Sequence, residues 1–256
     1  MRDEAPNPLD EFLCNLLKDT SGDILDYGCG DGRFIDYCSK KGVRVIGADT
    51  FKGIYETWTQ NSKKIIKIKN DRVPALDKSF GAVISNQVLE HIPMELVPKV
   101  CKEITRLISN SGVGIHIFPT RQTIIEPHVG IIGAHWLRRD STLQKFYLFV
   151  CFKLGFGYWR SEKKRGKQRS RTCKDWVTSS QNSLANHCYF VPKKVWTKAF
   201  RAEKVKVDDV SYLLLIFALP SFFRPCIEFF SRSITLKFIM NKIVHLRIGV
   251  VLKISR

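Results

Sequence analysis

The stretch Ile24-Leu25-Asp26-Tyr27-Gly28-Cys29-Gly30-Asp31-Gly32-Arg33-Phe34 decides the fold. Two apolar residues and an acid run into three glycines at alternate positions and then into a helix-starting pattern, so a buried strand turns sharply into a helix. Glycine lets the backbone adopt positive φ and leaves its amides open to a ligand, and the helix start adds unpaired N–H groups. A nucleotide-like ligand is expected there. The dinucleotide fingerprint needs its third glycine five positions after the first, where this chain carries Arg33. Its third glycine, Gly32, comes one residue too early, which counts against NAD.

Working outward, Pro8 to Lys18 has apolar residues at helical spacing and reads as an amphipathic helix ahead of the first strand. Phe34 to Lys41 is the first crossover helix, stopped at Gly42, and Val43 to Asp49 is a second strand ending in an acid. A carboxylate at that tip can accept from both vicinal hydroxyls of a ribose, although an acid there can equally cap a helix. A short helix is expected over Gly53–Gln60 and a third strand over Lys64–Ile68, followed by Asn70 and Asp71. Either of these can meet an adenine amino group, and either can simply form a turn. A loop and a fourth strand occupy Val73–Asn86, a helix Met94–Ile108 and a fifth strand Gly112–Phe118. Such alternation implies an α/β fold with a parallel sheet covered on both faces.

The turn Asp26-x-Gly28-x-Gly30-x-Gly32 resembles the first motif of class I S-adenosylmethionine-dependent methyltransferases. Asp77-Lys78-Ser79-Phe80 and Leu89-Glu90-His91 strengthen the likeness to small-molecule members of that family, with Gly81 standing where an acid is usual. The resemblance covers roughly residues 20–120. It implies a Rossmann-like class I methyltransferase fold with a mostly parallel seven-stranded sheet, and S-adenosyl-L-methionine as cofactor. The implied cofactor contacts are Asp26, Gly28, Gly30, Gly32, Asp49, Asn70, Asp71 and Asn86. Some quinone O-methyltransferases resemble Gln87-Val88-Leu89-Glu90-His91 with a Glu-x-x-Glu-His cluster that holds a divalent cation. Here the first acid is the neutral Gln87, a poorer ligand for a hard cation, so no tight metal is expected.

Beyond Phe118 the alternation stops. Proline and glycine punctuate residues 119–137 too often for a regular helix, yet the segment concentrates Glu126, His128, His135 and Trp136. A loop so rich in ionisable groups, leaving the ligand edge of the sheet, suits a substrate lid. Phe-Pro…Glu-Pro-His…His-Trp-Leu resembles methyltransferases of bacterial surface-glycan and lipid-linked sugar assembly. A sugar hydroxyl is a poor nucleophile, and a general base is expected from His128 or His135, then His91 or Glu126. A basic loop follows at Arg160–Arg171, then a helix at Phe190–Ala202 and a strand at Val205–Leu214. Tyr212–Phe223 is the most apolar run, but Pro220 interrupts it short of the ~20 residues of a spanning helix. Ile227 to Val244, with Arg232, Lys237 and Lys242, reads as one interfacial amphipathic helix or a core-facing one. Gly249–Ile254 can close the sheet as an antiparallel strand.

Charge divides the chain unevenly. Residues 1–120 balance 16 Lys/Arg against 16 Asp/Glu, whereas residues 121–256 carry 26 against 8, the whole of the net +18. The second half should therefore face something anionic: a membrane surface, a phosphate-bearing acceptor or nucleic acid. Eight cysteines without a C-x-x-C pair read as reduced, buried thiols and not as zinc ligands. Met1–Asp10 is acidic with two prolines, unlike a secretory leader, so a cytoplasmic protein or one peripheral to the inner face of a membrane is expected. The expected organisation is a cofactor-binding core at 1–120, a basic substrate lid or insertion at 121–190, and at 191–256 a completion of the sheet with a membrane-associated segment. The expected function is O-methylation of a sugar or lipid-linked small-molecule acceptor. RNA methylation and a non-catalytic partner subunit are the alternatives; no Asn-Pro-Pro-aromatic motif for base amines follows the fourth strand.

Overall fold

The computed structural model describes residues 8–50, 65–157, 172–186, 188–219, 223–247 and 249–256. The helix expected at Gly53–Gln60, the start of the third strand at Lys64, the basic loop Arg160–Arg171 and the Pro220 interruption lie outside them.

The elements run α1 (Pro8–Leu17), β1 (Ile24–Tyr27), α2 (Arg33–Lys40), β2 (Val45–Asp49), β3 (Ile65–Lys67) and β4 (Phe80–Asn86). Two short 3-10 turns, Leu89–His91 and Met94–Leu96, lead into α3 (Val97–Leu107) and β5 (Ile108–Phe118). A small hairpin, β6 (Ile125–Glu126) and β7 (Ile131–Ile132), precedes α4 (Thr142–Leu154), α5 (Cys173–Asn186) and α6 (Lys193–Ala202). The chain ends with β8 (Lys206–Asp209), α7 (Leu213–Ala218), α8 (Arg224–Ser231), α9 (Ile234–Arg247) and β9 (Val250–Ser255).

Seven strands form one sheet in the order β3-β2-β1-β4-β5-β9-β8. The first five are parallel, and β9 pairs antiparallel with both β5 and β8. The strand order reverses between β1 and β4, and in open sheets a ligand gathers beyond the strands' carboxyl ends at such a switch point. Apolar side chains cover both faces. One layer joins β-strand residues to α3 and α6 through Val100, Ile104, Trp196 and Phe200, and the other joins them to α1 and α2 through Leu13, Leu17, Ile35 and Cys38. Residues 129–190 hold a third core of their own, centred on Leu148, Trp176 and Phe190.

Four sequence expectations need correction. The helix expected from Met94 starts at Val97, because Pro93 and the 3-10 turn come first, and it stops at Leu107 where β5 takes over. The strand expected over Val205–Leu214 ends at Asp209; Ser211 turns the chain and α7 begins at Leu213. The single helix over Ile227–Val244 is two, since Arg232 and Ser233 close α8 on Phe229 and Phe230 before α9 begins. Cys226 is exposed and Cys173 half-buried, so not every thiol is in a core.

Gly81 has a structural reason for lacking a side chain. A Cβ there would overlap the Ser21 carbonyl oxygen, while its N–H donates to Asp23 O at 2.8 Å. The loop before it is instead clamped by Arg106, which donates to the Val73 and Ala75 carbonyls at 3.0 and 2.9 Å and to Asp77 at 2.6 Å.

Candidate functional site

Two clusters lie beyond the carboxyl ends of the parallel strands. The first is built on the glycine turn after β1. The Gly28 and Cys29 N–H groups both donate to Ala48 O, strapping the turn to the end of β2. Gly28, Gly30 and Gly32 all have positive φ, at 82°, 54° and 75°. A Cβ at Gly28 would come within 2.6 Å of Val88, so a side chain there would push on the segment after β4. At Gly30, by contrast, no atom of the described residues beyond its chain neighbours lies within 4 Å of the Cβ position, leaving the backbone open to an approaching group.

Three carboxylates converge on this turn. Asp49, at the tip of β2, accepts from Gly30 N at 2.9 Å through Oδ2 and from the Thr50 hydroxyl at 3.5 Å through Oδ1. Asp26 is buried in β1, and burial, helped by the charges of Asp49 and Asp10, pushes its carboxyl up to about 7. Asp10 of α1 is also buried and raised, pairing at 3.4 Å with Arg33 of α2. The charges of Asp49 and Asp10 add to the burial of Asp26, so a cation arriving at the turn relieves that carboxyl. A ligand that carries positive charge fits that requirement.

The remaining expected contacts divide. Asn86 ends β4 beside the turn, and its buried Oδ1 has no hydrogen-bond partner among the described residues. Asn70 and Asp71 both have positive φ and form a tight turn closed by reciprocal Lys69–Arg72 backbone bonds, with Asp71 paired to Lys99 at 2.8 Å. The turn-forming alternative accounts for their geometry.

The second cluster joins three distant segments. Glu90 and His91 come from the 3-10 turn after β4, Glu126 and His128 from the start of the hairpin, and Cys188 from the segment after α5. The backbone N–H groups of Tyr189 and Phe190 donate to Glu90 O at 2.6 and 3.3 Å, which ties that last segment to the first. Glu126 is fully buried; one oxygen meets His128 Nδ1 at 2.6 Å and the other accepts from the N–H groups of His128 and Val129 at 2.9 and 2.6 Å. The His91 and His128 rings stand edge to face with centroids 5.2 Å apart. Cys188 Sγ lies 3.9 Å from His91 Nδ1 and 3.6 Å from His128 Nδ1. Burial lifts the Glu90 carboxyl to about 8. Burial alone would lower His128, but its hydrogen bonds to Cys188 and Glu126 outweigh this and hold it protonated above the usual imidazole range.

Of the four candidates for a base, the structure brings together His91, His128 and Glu126 and sets His135 aside. His135 is buried and lowered by desolvation, its Nε2 3.3 Å from Arg121 O and its ring 4.8 Å from Phe190. His91 has the most exposed side chain of the cluster, 38% against 23% for His128, so exposure reverses the order expected between them. Glu90 and Cys188 were missed as site residues. Glu90 was legible only as part of a motif, and nothing in the sequence connects Cys188 to a histidine 60 positions away.

Residues 25–115 match the family described as a methyltransferase domain. No curated protein matches the chain. Among solved structures, the S-adenosylmethionine dependent methyltransferase from Mesorhizobium loti superimposes with a TM-score of 0.51 at 12% identity, over 95% of this chain and 96% of that one. The PH0226 protein from Pyrococcus horikoshii OT3 is 25% identical over 44% of this chain, with a TM-score of 0.40; the match spans 52% of PH0226, about half its length. A TehB-like SAM-dependent methyltransferase from Corynebacterium glutamicum is 20% identical over 46% of this chain and 65% of its own, with a TM-score of 0.38. The family match thus covers the strands and helices from β1 to β5, and the fold is that of the S-adenosylmethionine dependent methyltransferase from Mesorhizobium loti.

Proposed function

We propose, from the match of residues 25–115 to a methyltransferase domain, that this chain transfers a methyl group from S-adenosylmethionine to a hydroxyl of a sugar or lipid-linked small molecule at an anionic membrane surface. The observation that carries the cofactor is the convergence of Asp10, Asp26 and Asp49 on an open glycine turn. S-adenosylmethionine, when bound, supplies the methyl on a positively charged sulfur. The chain's own part is to hold the acceptor in line, which can supply ~7–11 kcal/mol of the barrier, and to take up the proton of the hydroxyl. His91 is the cluster member exposed to an acceptor, with Glu90 buried beside it, its Oε1 3.9 Å from His91 Nε2.

The membrane part rests on α9. This helix buries Asn241, Val244 and His245 while Ile234, Phe238, Ile239, Ile243 and Leu246 are exposed, with Lys242 and Arg247 among them. An apolar face bearing basic residues suits an anionic lipid interface and offers an RNA little. Among the described residues no helix is long and apolar enough to cross a membrane.

Radiolabelled methyl transfer into lipid-extracted and RNA fractions tests the reading. Label in the lipid fraction is the expected result; label in RNA alone would replace the acceptor, and label in neither would favour the partner-subunit alternative.

A further inference from the structure

The second cluster has the composition of a transition-metal site. His91, His128 and Cys188 each offer a ligand atom, and those atoms all lie within 4.8 Å of one another. Cys188 Sγ is 3.8 Å from His128 Nε2 as well as 3.9 Å from His91 Nδ1, close to the sulfur–nitrogen separation that ~2.3 Å and ~2.0 Å bonds to one tetrahedral ion produce. Independently, Glu90 is fully buried with no hydrogen-bond partner for either carboxylate oxygen among the described residues, and its Oε1 lies 4.0 Å from His128 Nε2 and 3.9 Å from His91 Nε2. A buried carboxylate left without a donor is costly unless something positive sits beside it. Glu126 supplies the remaining part: by engaging His128 Nδ1 at 2.6 Å it leaves Nε2, 3.8 Å from Cys188 Sγ and 4.0 Å from Glu90 Oε1, as the ligand atom, the arrangement in which a carboxylate orients a metal-bound imidazole.

We propose that His91, His128 and Cys188 bind a zinc-class divalent ion, with Glu90 beside it and the exposed side of His91 leaving one position open to an oxygen ligand. One thiolate and two imidazoles form a borderline-soft set that selects zinc, cobalt or iron over magnesium and calcium. The absence of the Glu-x-x-Glu-His cluster bears only on hard cations, so the expectation of no tight metal drawn from Gln87 does not reach this set. Because the ligands come from the core, the hairpin and the segment after α5, the ion clamps the lid onto the methyltransferase domain. The inference deepens the proposed function and rests on it only in assigning the open position to the acceptor hydroxyl, which such an ion makes more acidic.

The test is a titration of the metal-free full chain with cobalt(II), read by absorbance without cofactor or acceptor. A one-to-one end point is expected, with intense tetrahedral ligand-field bands and a near-ultraviolet thiolate-to-cobalt charge-transfer band, both displaced by zinc. Cys188→Ser should abolish the charge-transfer band, Glu126→Gln should weaken binding about tenfold or more, and Cys173→Ser should change nothing. Weak octahedral bands alone, or a charge-transfer band unchanged in Cys188→Ser, would overturn the proposal. Should Cys188→Ser fail to fold by circular dichroism, His128→Asn decides in its place, an unaltered ligand field then overturning it. Cobalt binding with no affinity for S-adenosylmethionine would uphold the ion site and remove the methyltransferase reading, so the two fail separately.

Discussion

Helices α3 and α9 are of similar length and opposite construction. In α3 the apolar Val97, Val100, Cys101, Ile104 and Leu107 are buried, with Glu103 and Thr105 beside them, and Lys99 and Lys102 are exposed. In α9 the inward residues are Asn241 and His245 with Val244, while Ile234, Phe238, Ile239, Ile243 and Leu246 face out. The first is held by the hydrophobic effect. The second is held by a polar network: Asn241 Oδ1 accepts from Tyr212 N at 2.7 Å, Asn241 donates to Asp209 O at 3.0 Å, and His245 Nε2 reaches Asp209 at 2.9 Å. A helix anchored by its polar side is free to offer its apolar side elsewhere. The apolar residues of α3 keep to one side while those of α9 spread round the helix, so in α9 the tertiary partners tell which side faces in.

The widest gap between the two helices should appear in paired truncations. Ile104→Ala, in a fully buried position, should cost about 2–5 kcal/mol in urea unfolding, whereas the exposed Ile239→Ala should stay within ~0.5 kcal/mol. Equal losses would dissolve the contrast. Next comes the anchor of α9. Burial works against the Asp209 charge, but hydrogen bonds from His245, Lys193 and Ser211 prevail and hold its carboxyl well below the usual range. Asp209→Ala should therefore cost about 3 kcal/mol. The wild-type contribution should be present above the ordinary carboxylate pKa and fade as pH falls below it toward the lower folded value; a chevron or melt insensitive to acid there would argue against the network.

A smaller effect separates the acids of the glycine turn from those of this network. Asp26 is raised to about 7, so a cationic cofactor favours its ionised form and should bind up to about tenfold more tightly at pH 8 than at pH 6. In Asp26→Asn that dependence should vanish from the titration. The smallest effect concerns the outer face of α9. Lys242→Gln should weaken sedimentation with anionic vesicles by about fivefold, the ~1 kcal/mol of one charge near such a surface, and equal recovery on neutral vesicles would remove the electrostatic part.

The sheet was readable because each early element carries its own local signal. Gly28, Gly30 and Gly32 fix the turn, Asp49 ends its strand, and apolar runs mark the rest. The second cluster was hidden for the opposite reason. Its parts are ordinary where they stand, and only backbone bonds from Tyr189 and Phe190 to Glu90 bring Cys188 to His91. The break between α8 and α9 was equally silent, since Arg232 and Ser233 are compatible with a continuing helix. The role of Arg106 depends on carbonyls some thirty residues away, which no spacing rule reaches.

The account stands on the carboxylates around the glycine turn, and isothermal calorimetry of S-adenosylmethionine binding to the full chain and to Asp49→Ala reaches them directly. Saturable one-to-one binding by the wild type is predicted, with a loss of a hundredfold or so in the variant, about 2.7 kcal/mol. Undiminished affinity in Asp49→Ala, or no binding by the wild type, would contradict it.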